Sequence, residues 1–129
     1  MNTSPQKVYI VDDSVTISNI LKKVISNIDG VEATDFQMGE DMLNSLETEA
    51  PFLIFLDYFL DTQKKGYMNG EEVFQQLKKN HPDVPVVMIT GMTDDKKLEK
   101  LKSVGFDHII HKDQDEVFEE VLKCVENYR

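Results

Sequence analysis

The sequence predicts a three-layer, doubly wound α/β domain built on a five-stranded parallel sheet in the order 2-1-3-4-5. Three observations carry that expectation. Short apolar runs alternate with helix-period segments along the whole chain, the pattern of repeated β-α units. Three of the runs, Val8 to Val11, Phe52 to Leu56 and Val86 to Ile89, are continuously apolar, as strands covered by helices on both faces must be. The other two, Val31 to Phe36 and His108 to Ile110, are mixed or short, which places them at the edges, as this strand order requires.

Taken in order, each run leads into a helix. After the first, Ile17, Ile20, Leu21, Val24, Ile25 and Ile28 recur at the spacing of one helical face, and Ser14 stands where an N-cap is needed. After the second, Met42, Leu43 and Leu46 repeat the pattern weakly. After the third, Val73, Phe74 and Leu77 mark a helix opened by Asn69-x-x-Glu72, the signature of a capping box. After the fourth, Leu98 and Leu101 mark a short, lysine-rich helix. After the fifth, Phe118, Val121, Leu122 and Val125 form the last stripe, with Asp113-x-x-Glu116 as a second capping-box pattern. Gly30 and Gly105 sit where helices should stop in a left-handed cap.

Composition narrows the function. The 129 residues suit one domain, read as spanning 1–129 with a core of about 7–128. Fourteen basic against 24 acidic residues give a formal charge of −10, which argues against nucleic acid and anionic lipid as direct partners. The longest apolar run, Phe52 to Leu56, is far too short to cross a bilayer, and MNTSPQK has no signal-peptide core. The single Cys124 cannot form an intramolecular disulfide, so the expected compartment is the cytoplasm and the expected role of Cys124 is a small packed residue. His108 and His111 should point to opposite faces of a strand, and with one cysteine there is no zinc-like cluster.

In a doubly wound sheet, ligands bind outside the carboxyl ends of the strands. The first run ends in Asp12-Asp13, the third in Asp57, the fourth in Thr90-Gly91 and the fifth reaches Lys112. Any of these alone has a plainer account, as a cap, a solvated strand end, a turn or a surface lysine. Together they set complementary groups on one rim. Three converging carboxylates call for a hard divalent cation such as Mg²⁺, or Mn²⁺, which also binds phosphate oxygens. A lysine and a hydroxyl complement a phosphoryl group. A carboxylate can itself be the nucleophile, so the rim reads as metal-assisted phosphoryl transfer to Asp57. No organic cofactor site is expected.

From about Lys7 to Tyr128 the sequence closely resembles the receiver domain of two-component response regulators, on VYIVDDS (Val8 to Ser14), FLIFLDY (Phe52 to Tyr58), MNG (Met68 to Gly70), VVMITG (Val86 to Gly91) and HIIHK (His108 to Lys112). The resemblance implies that Asp57 accepts a phosphoryl group from a sensor histidine kinase or a histidine phosphotransfer protein. It implies that Asp13 and Asp57 bind the metal directly, that Asp12 binds it through water, and that the backbone carbonyl of Phe59 completes the protein ligands. Thr90 and Lys112 would hold the phosphoryl oxygens and report them to a downstream protein target, with homodimerisation of the phosphorylated form left open. Such a chain is a signalling domain that assists its own phosphotransfer and dephosphorylation rather than an enzyme acting on a separate substrate.

Three departures from the family pattern stand out. The position three before the lysine, usually aromatic, is Ile109, which has neither ring nor hydroxyl, and Phe106 falls in the turn before the strand. Asp113 replaces the usual proline after Lys112, so a trans peptide or a locally strained loop is expected there. Twelve residues, Tyr58 to Asn69, separate Asp57 from Gly70, and Asp61 to Tyr67 reads as an insertion, a tolerated surface loop or a partner-specific element. Phe59 and Met92, two residues beyond Asp57 and Thr90, are large and apolar and should hinder an attacking water, which predicts slow loss of the phosphoryl group. A flavin mononucleotide binder of the same flavodoxin-like class would need a phosphate-cradling loop where Asp12 and Asp13 stand. A phosphatase with an aspartyl nucleophile would need an Asp where Phe59 stands. The remaining alternatives are a phosphorylation-independent interaction module and a receiver excised from a longer regulator.

Overall fold

The computed structural model describes residues 5–58, 68–91, 95–112 and 116–129. Five strands and five helices alternate: β1 (Gln6–Val11), α1 (Val15–Ser26), β2 (Val31–Phe36), α2 (Gly39–Ser45), β3 (Leu53–Asp57), α3 (Gly70–Asn80), β4 (Val86–Thr90), α4 (Asp95–Lys102), β5 (His108–His111) and α5 (Val117–Tyr128). The strands form one parallel sheet in the order β2-β1-β3-β4-β5, with the two mixed-composition strands at the edges as expected.

The alternation of side chains along each strand splits the core in two. Val8, Ile10, Leu53, Phe55, Val87, Ile89 and Ile110 face one side and pack with Leu21 and Ile25 of α1 and with Val121, Cys124 and Val125 of α5. Tyr9, Val11, Ile54, Leu56 and Val86 face the other and pack with Met42 and Leu46 from the α2 segment and Val73, Phe74 and Leu77 of α3. Each such side chain contributes about 1.5–3 kcal/mol by leaving water. Because both faces are covered, the buried stretches of β1, β3 and β4 are apolar up to their carboxyl ends, and the polar residues that end them, Asp12, Asp57 and Thr90, come to one rim.

The caps behave as their chemistry demands. Ser14 accepts from the Ile17 amide at 3.3 Å, and Asn69 and Glu72 form the reciprocal capping box of α3. Gly30 has a positive φ of +79°, but it lies in the turn into β2, beyond the helical cap at Asn27. There its carbonyl accepts from the Gln6 amide at 2.8 Å, which extends β1 two residues ahead of its apolar run.

Two expectations about helix faces need correction. Ile20 is exposed, and the inner face of α1 holds Ser18 instead, because the Ser18 hydroxyl reaches the Asp12 carbonyl at 3.3 Å. On α5, Phe118 is exposed and Cys124 is buried with Val121 and Val125, since α5 starts at Val117 with Glu116 as its N-cap residue. The capping-box reading Asp113-x-x-Glu116 also fails, because Glu116 is itself the N-cap residue of α5 and not its third position, while Asp113 and the side chains of Leu98 and Leu101 lie outside the described residues. Cys124 is a packed residue as expected, and burial pushes its thiol up to about 11.

Candidate functional site: an acidic rim closed by one lysine

Asp12, Asp13 and Asp57 come together at the carboxyl end of β1 and β3, with oxygens all within 4.8 Å of one another. Asp12 and Asp57 are buried, at 2% and 4% exposure, while Asp13 opens to solvent. The backbone around Asp12 fixes its carboxylate: its amide donates to the Phe36 carbonyl at 3.0 Å, and its Oδ1 accepts from the Ser14 amide at 2.9 Å. Its other oxygen, Oδ2, is buried with no hydrogen-bond donor aligned on it. Leaving such an atom uncompensated costs free energy, so its charge must be met another way.

Lys112 meets it. Its Nζ stands 3.0 Å from Asp12 Oδ2 as an ion pair and donates to Asp57 Oδ2 at 3.2 Å. Burial works against the ammonium, but the charges of Asp57 and then Asp12 outweigh it, and the Lys112 pKa rises above the ordinary lysine value. The backbone sets this reach: the Lys112 amide donates to the Thr90 carbonyl at 2.8 Å, one step beyond the β4–β5 ladder in which Thr90 lies opposite His111. Thr90 is fully buried at the end of β4, and Asp57 lies opposite Ile89 on the same strand.

The structure thus gathers Asp12, Asp13, Asp57 and Lys112, with Thr90 on the neighbouring strand end. Phe59, Met92 and Asp113, and with them the expected carbonyl ligand, the apolar flanks and the post-lysine peptide, lie outside the described residues, as do residues 59–67 of the long loop. Ile109 is half-buried on β5, opposite Met88. Phe106, expected only as a turn residue, stacks on Phe74 of α3 with ring centroids 3.9 Å apart, and the Lys78 ammonium of that helix lies over the Phe74 ring. His108 faces Glu120 of α5 at 3.6 Å, away from the rim.

Sequence reasoning missed the parts that hold the site rather than form it. Ser14 and Ser18 fix Asp12, and the D-x-S spacing carried that signal as an Asx turn. Glu40 of α2 accepts from the Met68 amide at 2.9 Å, tying down the far end of the loop after Asp57. No local pattern announces a contact spanning 28 positions.

The arrangement is a pre-assembled acidic pocket with a mobile-length cation, suited to a divalent metal and an oxyanion. Comparison with known proteins points the same way. A family model described as the response regulator receiver domain matches residues 8–123. The DNA-binding transcriptional regulator NtrC of Klebsiella pneumoniae is 28% identical over 123 residues, which cover 94% of this chain and 25% of NtrC. The receiver domain of NtrX from Brucella abortus superimposes with a TM-score of 0.79 at 26% identity, covering 94% of this chain and 96% of that one. The BeF3-activated receiver domain of DrrB, a protein of Thermotoga maritima, gives a TM-score of 0.78 at 25% identity, covering 96% and 97%. The chain spans about a quarter of the length of the NtrC proteins it matches. Among the described residues, no helix is long and apolar enough to cross a membrane.

Proposed function

This chain belongs to the response regulator receiver family, and from that premise we propose that it is a phosphorylation-dependent switch whose acceptor is Asp57. The observation that carries the reading is the placement of Lys112 Nζ between the buried carboxylates of Asp12 and Asp57, with Asp13 beside them. Three carboxylates gathered on one rim are the setting in which a divalent cation binds.

Asp12, Asp13 and Asp57 fit a divalent ion: their oxygens lie close enough to share one, and Asp12 Oδ2 is buried without an aligned donor. Asp13 and Asp57 would hold it, with Asp12 and the Phe59 carbonyl alongside. When bound, Mg²⁺ or Mn²⁺ would offset the carboxylate charge and that of the incoming phosphoryl oxygens. An Asp57 carboxylate oxygen attacks phosphorus, and an O–P bond forms as the donor's P–N bond to imidazole breaks. The electron pair stays with the imidazole nitrogen, which then takes up a proton. Lys112, already in contact with Asp57, turns to a phosphoryl oxygen, and the Thr90 hydroxyl donates to another. Water later returns the carboxylate, slowly if Phe59 and Met92 shield the phosphorus. The donor is a sensor histidine kinase or a histidine phosphotransfer protein, and the readout is a shift between two packings of the C-terminal half that a partner protein reads. The unit is one receiver domain over 1–129 with its core at about 7–128, and its compartment is the cytoplasm.

The test is labelling with acetyl phosphate and Mg²⁺, comparing wild type with Asp57→Asn. Wild type should label and the variant should not. Equal labelling would overturn the assignment. If neither labels nor binds beryllofluoride with Mg²⁺, the phosphorylation-independent interaction module is the better reading.

A further inference from the structure

The long loop after Asp57 leaves and re-enters the fold through a narrow neck, and the neck bears on the acceptor itself. Gly70, the first residue of α3, is buried against the Asp57–Tyr58 peptide. A Cβ on Gly70 would lie 2.4 Å from the Tyr58 carbonyl oxygen, 2.7 Å from Tyr58 Cα and 2.8 Å from the Asp57 carbonyl oxygen. These are backbone atoms, so no rotamer change relieves the contact. Among the described residues the positive-φ positions are Gly30 and Gly105, so Gly70 is not a glycine for conformational reasons. Clearance is what it supplies.

The neighbouring residue works on the same peptide. The Tyr58 hydroxyl donates to Glu71 Oε2 at 3.4 Å, while the Tyr58 amide donates to the Ile89 carbonyl of β4 at 3.4 Å. The peptide that carries Asp57 is therefore held between β4 on one side and the first turn of α3 on the other. The capping box of Asn69 and Glu72 makes that turn rigid.

Resting on the receiver reading, we propose that Gly70, supported by Glu71, is a positioning residue for Asp57: by bringing bare helix backbone against the 57–58 peptide, it sets where the acceptor carboxylate stands relative to Asp12, Asp13 and Lys112. The margin is small. Asp57 Oδ2 is already 3.2 Å from Lys112 Nζ, toward the long end for such a bond. Misplacing a reacting group by about 1 Å costs on the order of 10²-fold in rate.

Gly39→Ala is the matched control. A Cβ there would lie 2.1 Å from Val73 Cγ2, so it loads the α2–α3 packing through a side chain and not through the 57–58 backbone. Gly70→Ala and Gly39→Ala are compared with wild type by thermal midpoint, by Mg²⁺ affinity of the unphosphorylated protein in calorimetry, and by the rate of labelling from acetyl phosphate. Gly70→Ala should weaken Mg²⁺ binding about 5-fold or more and slow labelling by about 10–100-fold. Gly39→Ala should lose stability with both site readouts unchanged. Gly70→Ala with an unchanged Mg²⁺ affinity overturns the proposal, as does an equal loss of affinity in Gly39→Ala. Should Gly70→Ala not fold, Tyr58→Phe removes the hydroxyl bond to Glu71. It should weaken Mg²⁺ binding about 2-fold at unchanged stability, and no weakening overturns the proposal. If wild type binds Mg²⁺ but never labels, the phosphoacceptor reading fails while the Mg²⁺ comparison still decides the role of Gly70.

Discussion

The two ends of the sheet solve the same electrostatic problem in opposite ways. At the amino end each charge finds its own partner. Lys7 pairs with Glu32, the Tyr9 hydroxyl donates to Glu49 at 3.0 Å, and the Arg129 guanidinium reaches Gln6, the Asp29 carbonyl and Glu126. At the carboxyl end Asp12 and Asp57 share Lys112, with the Asp13 carboxylate beside them. One end is built to be satisfied and the other to be completed by something that arrives. Surface pairs contribute little individually, whereas two carboxylates buried to a few per cent depend strongly on the cation that meets them. The difference separates what holds the fold from what the fold is for.

The sharpest way to break that contrast is Lys112→Ala. It removes the ammonium that meets the buried Asp12 and Asp57 and should cost about 3 kcal/mol or more in urea denaturation without divalent metal. Saturating Mg²⁺ should restore part of the loss. Lys7→Ala at the other end should leave the midpoint nearly unmoved, because its pair stands in water. Next in size, Mg²⁺ should stabilise the wild type by about 2.7 kcal/mol at a hundred times its dissociation constant. Asp13→Asn should remove most of that gain. Smaller again, Asp13→Asn measured without metal should raise stability by about 1 kcal/mol, because one of three like charges within 4.8 Å is gone. A loss of stability there would mean that the rim is not electrostatically overloaded.

What the sequence made legible follows the same division. Strands buried on both faces can carry only apolar residues, so their runs and the polar residues that end them, Asp12, Asp57 and Thr90, stand out at once. Edge strands and helix faces are less constrained. The apolar stripe reading put Ile20 and Phe118 inward, and the structure places Ser18 and Cys124 there instead. Hydrogen bonding to the Asp12 carbonyl outweighed hydropathy at Ser18, and the start of α5 at Val117 set which residues of that helix face inward. Gly70 was visible as part of a motif, but its reason, the approach of α3 to the 57–58 peptide, exists only once two segments a loop apart are brought together. The Phe74–Phe106 stack is of the same kind. Residues that act at the site are written in local sequence, and residues that aim them are written in the packing.

The smallest expected effect lies at the amino end and is read best through pH. Tyr9 is buried to 1% exposure, and burial first, with the hydrogen bond to Glu49 and the charge of Glu49 second, pushes its phenol up to about 12. An unfolded tyrosine ionises near pH 10. The folded protein therefore keeps a proton that the unfolded chain gives up. The stability this contributes is fully present below about pH 10 and is lost as pH rises through about 12. Tyr9→Phe should lower stability at neutral pH by about 1 kcal/mol, the net value of one hydrogen bond, and flatten the decline between pH 10 and 12. Labelling of Asp57 should be unchanged, because Tyr9 points into the α2–α3 layer. An alkaline decline identical in the two proteins would place it instead on the raised lysines, Lys7 and Lys112, whose partners hold their protons beyond the ordinary lysine value. Lys112→Met then separates the two ends: a decline that disappears with Lys112 belongs to the carboxyl-end rim, and one that persists belongs to the amino end.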